Sequence, residues 1–387
     1  MNALKNYRIK DYDFKIVLFA LLLSAIGYFA IGSAMQNSAD DNVTKHLIST
    51  VVGFFVMIGV SLVDYHFIMK FRVLIYGFMV TILALVIFGG ETSNNAQRWF
   101  RIGAIRFQPS ELSKLLLILF FASFIMKYKE KISSFHLLLL CCGLFVVPFF
   151  LILEQPDLST SILMVVIFAT VVFTGGIKKR IILILLLIMI PVGIGFVSFM
   201  LNPDNGLLED YQLKRINGFL YPDDYPDIAY QQNNSITAIG SGMLDGKGYM
   251  NNELTSVKNS NFISEAETDF IFAVIGEEFG FRGSAVTIIL LFALSLSILS
   301  VGIRAQDTAG TVICAGMGMY VGMQSFMNIG VATFLLPNTG IPLPFISYGM
   351  TSLLTLYAGL GVVLNVRLQV KHMAVTMEDF AIYNERI

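Results

Sequence analysis

The sequence predicts an all-α polytopic membrane protein with ten transmembrane helices, and three observations predict it. Hydrophobic residues make up 56% of the 387-residue chain and the mean hydropathy is +0.72. Charged residues reach only 14%, against roughly a quarter in soluble domains. These charges collect between apolar runs that are each near the ~20 residues a bilayer core requires. The chain reads as one integral membrane domain over 1–387, with a large extracellular loop, 202–269, between spans seven and eight.

The expected spans are 14–35, 47–63, 71–90, 110–126, 136–153, 158–175, 181–201, 281–303, 309–335 and 343–366. The first follows Lys5, Arg8 and Lys10 and is too long for a signal-peptide core, so it reads as a retained span. Connections alternate in charge. One side gathers Lys70 with Arg72, then Lys127, Lys129 and Lys131, then Lys178, Lys179 and Arg180, and the far C-terminal basic residues. The positive-inside rule then puts both termini in the cytoplasm and the long loop outside. Asp269 opens an apolar run to Ala305 that would reach about 55 Å as one helix. The stretch 270–280 is therefore expected to be an interfacial or re-entrant helix, with the span proper starting near Phe281. Gly340-Ile341-Pro342-Leu343-Pro344 interrupts the start of span ten.

Composition excludes several functions. A net charge of −1 and no basic arm give nucleic acid no footprint. Cys141, Cys142 and Cys314 lie in apolar runs without metal-ligand spacing and read as packing residues. The four histidines fall on different connections, and no Ser/His/Asp arrangement converges.

One outer connection opposes the topology signal. Between spans three and four, Arg98, Arg101 and Arg106 cluster around Trp99, the only tryptophan. Either they snorkel beside an interfacial anchor, or they meet a phosphate-bearing ligand. Span four opens on Gln108, Pro109, Ser110, Glu111 and, one turn on, Lys114. Glu111 and Lys114 share a helix face, as a functional pair or as a structural salt bridge. Thr268-Asp269 before an apolar helix fits an N-cap as well as a chemical role. Glu278 can pair with Arg282 at i,i+4, and Asp157 reads as a helix cap. Gly246-Lys247-Gly248 could bring backbone near phosphate, although it lacks P-loop spacing.

With these strings in view the chain resembles the SEDS family (shape, elongation, division and sporulation proteins). The resemblance rests on RWFRIGAIRFQPSELSKL, EQPDLSTS, YQLKRINGFLYPDD, AIGSGMLDGKG, ETDFIFAVIGEEFGFRG and NIGVATFLLPNTGIPLPFISYG. They run in family order from the third span to the tenth, and RFQPSE and QPDL look more like the elongation branch than its division paralogue. The resemblance implies a peptidoglycan glycosyltransferase that polymerises lipid II outside the plasma membrane, beside a class B penicillin-binding protein and other elongation-complex proteins. The family's acidic residue in a His-Thr-Asp-Phe string maps to Asp269. The usual histidine is Glu267 here, and the usual proline is Ser264.

On that footing Asp269 is the expected catalytic base. Arg98, Arg101 and Lys114 are expected to hold pyrophosphate, with Glu111 positioning Lys114. Trp99 and Gln108 join the substrate-binding set, and Arg215 and Lys247 are weaker phosphate candidates. A divalent cation, Mg or Mn, is the candidate cofactor, with no organic cofactor. Burial beside Glu267 is expected to raise the pKa of Asp269. A lipid flippase and a transpeptidase scaffold are the alternative functions.

Overall fold

The computed structural model describes residues 12–36, 41–93, 96–102, 105–132, 134–177, 215, 217–250, 263, 265–338 and 340–384. Its helices in chain order are α1 (Phe14–Ala34), α2 (Asn42–Ser61), the short α3 (Tyr65–Lys70), α4 (Arg72–Gly89), α5 (Pro109–Lys127), α6 (Phe135–Leu153) and α7 (Leu158–Thr174). They continue with α8 (Pro226–Ser241), α9 (Ile271–Ile303), α10 (Thr308–Ala332) and α11 (Met350–Asn384). Among the described residues eight helices are long and apolar enough to cross a membrane. They correspond to eight of the ten expected spans. The helix over 158–174 is apolar but shorter, and the run 181–201 lies outside the described residues.

Aspartates start several helices: Asp13, Asp41, Asp64, Asp157 and Asp307 each accept a backbone N–H of the turn they open. The expected cap at Asp157 is therefore present. α5 starts differently, with Pro109 in its first turn, where a missing N–H costs nothing.

The bundle is built around α5, α10 and α11. The apolar windows of α5 and α11 are 83% buried, against 17% for α4, so α4 shows most of its surface to the surroundings. α11 packs along α2, α10 along α9 and α7, and α5 against α4 and α10. Glu111 and Lys114 therefore lie on one of the two most enclosed spans among the described residues.

The connection between α4 and α5, which holds the arginine cluster, is built of strands. It forms a small antiparallel sheet, β1 (Glu91–Ser93), β2 (Ala96–Ile102) and β3 (Ile105–Phe107), in the order β1-β2-β3. Arg101 stands opposite Arg106 across β2 and β3. Like charges so placed repel, and Glu91 of β1 answers both, 3.3 Å from Arg101 and 3.7 Å from Arg106.

Two breaks in regular structure shape the site. α9 is interrupted at Gly280, whose φ of 62° and ψ of −158° only glycine adopts freely. The expected break before Phe281 is thus observed. It exposes carbonyls that the preceding chain satisfies: Lys247 N–H donates to Glu277 O and Gly248 N–H to Glu278 O. With Gly246 N–H donating to Gly242 O, all three amides of Gly246-Lys247-Gly248 are consumed within the chain rather than offered to phosphate.

The second break precedes α11, which begins at Met350 and not near 343. Pro342 and Pro344 lack amide hydrogens, Gly340 has φ 68° and Phe345 has φ 65°, so 340–349 cannot continue as helix. This segment is laced to the start of α9. Tyr348 N–H donates to Glu267 O, and the Ser347 hydroxyl donates to Thr268 O. Asn328 Nδ2 of α10 donates to both Asp269 O and Ile341 O, at 2.8 and 2.7 Å.

Candidate active site

Three structural pieces meet at one cavity of about 580 Å³: the β-sheet connection, the segment before α9 and the segment before α11. Arg98, Trp99, Arg101, Gln108, Arg215 and Asp269 all line it, so six of the nine residues expected from the sequence converge. The cavity also takes Lys45 and Asn42 from the first turn of α2, Arg106 from β3, and Glu265, Glu267 and Tyr348. Lys45 was missed because the polar start of α2 lies before the apolar run that marked the span. Its partner signal, Asp41 as cap with a cation one turn later, is weak in sequence alone.

Asp269 does not cap the helix it precedes. The cap position belongs to Phe270, which makes no side-chain cap bond, and Thr268 Oγ donates back to Glu265 O. The Asp269 carboxylate makes no hydrogen bond to a described residue, and its main-chain oxygen is held by Asn328. A Cβ built on Gly340 would come 3.2 Å from Asp269 Oδ2, so the carboxylate lies directly over that glycine. Burial pushes its pKa up to about 7, assisted by the negative charge of Glu265 and by Asp157, and opposed by Arg215 and Arg98. The expectation that the carboxylate is raised thus holds, with Glu265, not Glu267, as the neighbouring charge that matters.

The arginines are braced from behind. Arg98 Nε donates to Gln155 O at 2.9 Å, a second nitrogen donates to Pro156 O, and the carboxylate of Asp157 lies 3.9 Å away. The turn between α6 and α7 therefore fixes the guanidinium. Gln108 Nε2 reaches Asp157 Oδ2 at 3.5 Å, and Gln108 N–H donates to Thr351 Oγ. Arg215 donates to Asn338 O at 3.4 Å. Five cationic side chains line the cavity against three carboxylates, Glu265, Glu267 and Asp269. Such an excess suits an anion of high charge density.

Three expected residues lie elsewhere. Lys114 and Glu111 are fully enclosed within the bundle, with Nζ to Oε1 at 2.6 Å, and neither lines the cavity. Lys114 also donates to Gln324 Oε1 at 3.0 Å and lies over the ring of Tyr320, whose hydroxyl donates to Glu111. A cation so saturated, in so enclosed a place, has no free path to a pyrophosphate in the cavity. Lys247 is likewise outside the cavity, 2.9 Å from Glu277. Arg282 pairs with Asp245 while Glu278 accepts from Ser33, so the expected Glu278–Arg282 pair does not form. Gly280 breaks the helical register between them. His46, His66 and the three cysteines build no metal site, and among the described residues no group of three or more His, Cys, Asp or Glu could hold a metal ion.

The sequence profile described as Cell cycle protein (FtsW/RodA/SpoVE) matches residues 14–372. A probable peptidoglycan glycosyltransferase FtsW from Geobacter sp. (strain M18) is 31% identical over 383 residues, covering 95% of this chain and 100% of that protein. Stage V sporulation protein E of Bacillus subtilis (strain 168) is 31% identical over 92% of this chain and 96% of its own length. Among solved structures, one describing the structural coordination of polymerization and crosslinking by a peptidoglycan synthase complex superposes with a TM-score of 0.78 at 26% identity. It covers 93% of this chain and 98% of its own. The crystal structure of the Thermus thermophilus rod shape determining protein RodA superposes with a TM-score of 0.67 at 25% identity, covering 92% and 96%. The chain belongs to the FtsW/RodA/SpoVE family of cell cycle proteins, the SEDS family.

Proposed function

We propose that this chain is a peptidoglycan glycosyltransferase that polymerises lipid II into glycan strands on the outer face of the plasma membrane. The observation that carries this reading is one carboxylate near neutrality, Asp269, set in a cavity dominated by arginine and lysine. Polymerisation from a polyprenyl pyrophosphate donor needs two things. A base must take a proton from the acceptor hydroxyl, and positive charge must stabilise the departing pyrophosphate. An inverting displacement then forms the new oxygen–carbon bond at the sugar as the carbon–oxygen bond to pyrophosphate breaks.

Asp269 is the base in this scheme. A pKa of about 7 makes it a far better proton acceptor than an ordinary carboxylate while leaving much of it ionised near neutral pH. Arg98, Arg101, Arg106, Arg215 and Lys45 supply the leaving group's counter-charge, and Trp99 offers an apolar wall. Lys114 and Glu111 are assigned a supporting role beneath the cavity. A divalent cation, Mg or Mn, would be held chiefly by the pyrophosphate, because the described residues build no metal cage of their own. No step here depends on it.

The RFQPSE and QPDL strings favour the elongation branch, the rod shape-determining protein RodA, although relatives at 31% identity carry the names FtsW and stage V sporulation protein E. A class B penicillin-binding protein is the proposed partner, with other elongation-complex proteins. Both termini are proposed to be cytoplasmic. Purified chain with its partner and lipid II, with and without divalent metal, tests the reaction by the appearance of glycan polymer. Lipid transfer between leaflets without polymer would instead make the chain a flippase. Polymer from Asp269→Ala at the wild-type rate would remove the base assignment. In cells, rounding on depletion supports the elongation branch and filamentation overturns it.

A further inference from the structure

We infer that Gln324 and Asn328 of α10 are positioning residues that set where the Asp269 carboxylate sits, and that the buried Glu111–Lys114 pair acts on the site through Gln324 rather than by touching substrate. The inference deepens the proposed function and rests on Asp269 being the base.

Gln324 and Asn328 are four residues apart, on one face of α10, and both side chains are buried. Gln324 Nε2 donates to Pro342 O at 2.9 Å. Asn328 Nδ2 donates to Ile341 O and to Asp269 O. The two amides therefore bind consecutive carbonyls of the irregular segment before α11, and one of them also binds the base's own main chain. That segment cannot satisfy its carbonyls by a helical or strand ladder, because two prolines and a left-handed glycine break it. Side-chain amides from α10 take over. The carboxylate rests over Gly340 of the same segment, so a shift of 340–342 is a shift of the floor beneath Asp269.

Lys114 decides how the Gln324 amide is turned. An ammonium has only donors, so the amide must show it oxygen and show Pro342 its nitrogen. Without that cation the amide can flip and set oxygen against oxygen at Pro342. Glu111 in turn holds Lys114, and Tyr320 holds Glu111. This chain runs from the middle of the bundle to the cavity floor without an exposed member. It gives the enclosed ion pair a task that does not require it to reach the ligand.

The first test is Gln324→Met, which keeps volume and leaves the ion pair intact. Its kcat for polymerisation is expected to fall about 30-fold with KM within about twofold, since a misplaced base costs up to about 10²-fold. The acid limb of its pH–rate profile is expected to move below about 7 as the carboxylate relaxes toward water, with Glu265, Arg215, Arg98 and Asp157 still facing it. The second test changes Glu111→Gln together with Lys114→Met, so that no lone charge is left buried. Added to Gln324→Met, it is expected to leave the loss near about 30-fold rather than multiply it to about 10³-fold, as members of one network do. Losses that multiply, with KM raised by the Lys114 change, would place Lys114 on the substrate and overturn the inference. Hydrogen exchange gives a readout without activity. Amides of 340–349 are expected to exchange at least about tenfold faster in Gln324→Met, in Asn328→Leu and in the charge-pair variant. Unchanged exchange and an unmoved acid limb would overturn the clamp. A wild-type protein that makes no polymer would instead overturn the proposed function, while the exchange result would still decide the clamp.

Discussion

The two ends of α9 each carry an aspartate, and the protein treats them in opposite ways. At the far end Asp307 caps α10 through Gly310 N–H at 2.7 Å and accepts from Tyr65 Oη and His66 Nε2 at 2.9 and 2.8 Å. Burial opposes its ionisation, but those hydrogen bonds outweigh it and hold its pKa below the usual value. At the cavity end Asp269 has no such donor among the described residues, and burial beside Glu265 raises it to about 7. One residue type thus serves as a fastener where donors converge on it and is proposed to serve as a base where no described donor reaches it. Asp307 is also the less deeply buried of the two, so burial and hydrogen bonding together separate them.

The largest expected effect breaks the cavity end alone. Asp269→Asn keeps the shape, and polymerisation measured as kcat/KM should fall about 10³-fold with the protein still folded. A variant near wild-type rate would make Asp269 no different in kind from Asp307. Next in size are shifts of the pH–rate profile. Activity should rise with pH through about 7 as Asp269 loses its proton. Glu265→Gln removes a charge that raises the pKa and should move that limb to lower pH. Arg215→Met removes one that lowers it and should move the limb upward. Shifts in the same direction for both would refute the electrostatic account.

Stability should respond with opposite signs at the two ends. A raised carboxylate costs the folded state stability as pH climbs from 3.8 to about 7, so Asp269→Asn should melt higher than wild type at pH 8. Asp307 is depressed, so its contribution is present above 3.8 and fades as pH falls through its folded value. Asp307→Ala should lower stability by about 1–2 kcal/mol through loss of the cap, read by thermal unfolding in detergent, with polymerisation little altered. The smallest effect comes from His66. Its bond to Asp307, with help from Asp64 and against burial, raises its pKa, so its share is present below 6.5 and is lost as pH rises through the folded value. His66 is 35% exposed, and solvent screens that share.

Much of this was legible in the chain. Runs of apolar residues marked eight of the described helices, and the break before Phe281 followed from a run too long for one bilayer. The arginine cluster around Trp99 stood out because it opposed the charge pattern, and it lines the cavity. What escaped depended on distant partners. Lys114 looked like a phosphate ligand because helical spacing does not say which face of α5 meets α10 and which meets open space. Glu278 and Arg282 matched a helical pair, but pairing at i,i+4 requires an unbroken helix and Gly280 intervenes. The three short strands are too brief and too charged to show an apolar alternation, and Glu91 offsets the facing Arg101 and Arg106 from across the sheet.

The break at Gly280 bears on how the chain enters a bilayer. Residues 281–303 rise about 35 Å as a helix, a full crossing by themselves. The ten residues before them are as apolar as a span, save for Glu277 and Glu278. A nascent chain threading through an insertion channel could choose either stretch. The glycine and the two glutamates remove that choice: the backbone turns at 280, and the acids tie to Lys247 and to Ser33 in the last turn of α1. Gly280, Glu277 and Glu278 therefore set where the uninterrupted apolar helix of α9 begins, and with it how far along the chain Asp269 stands from that helix.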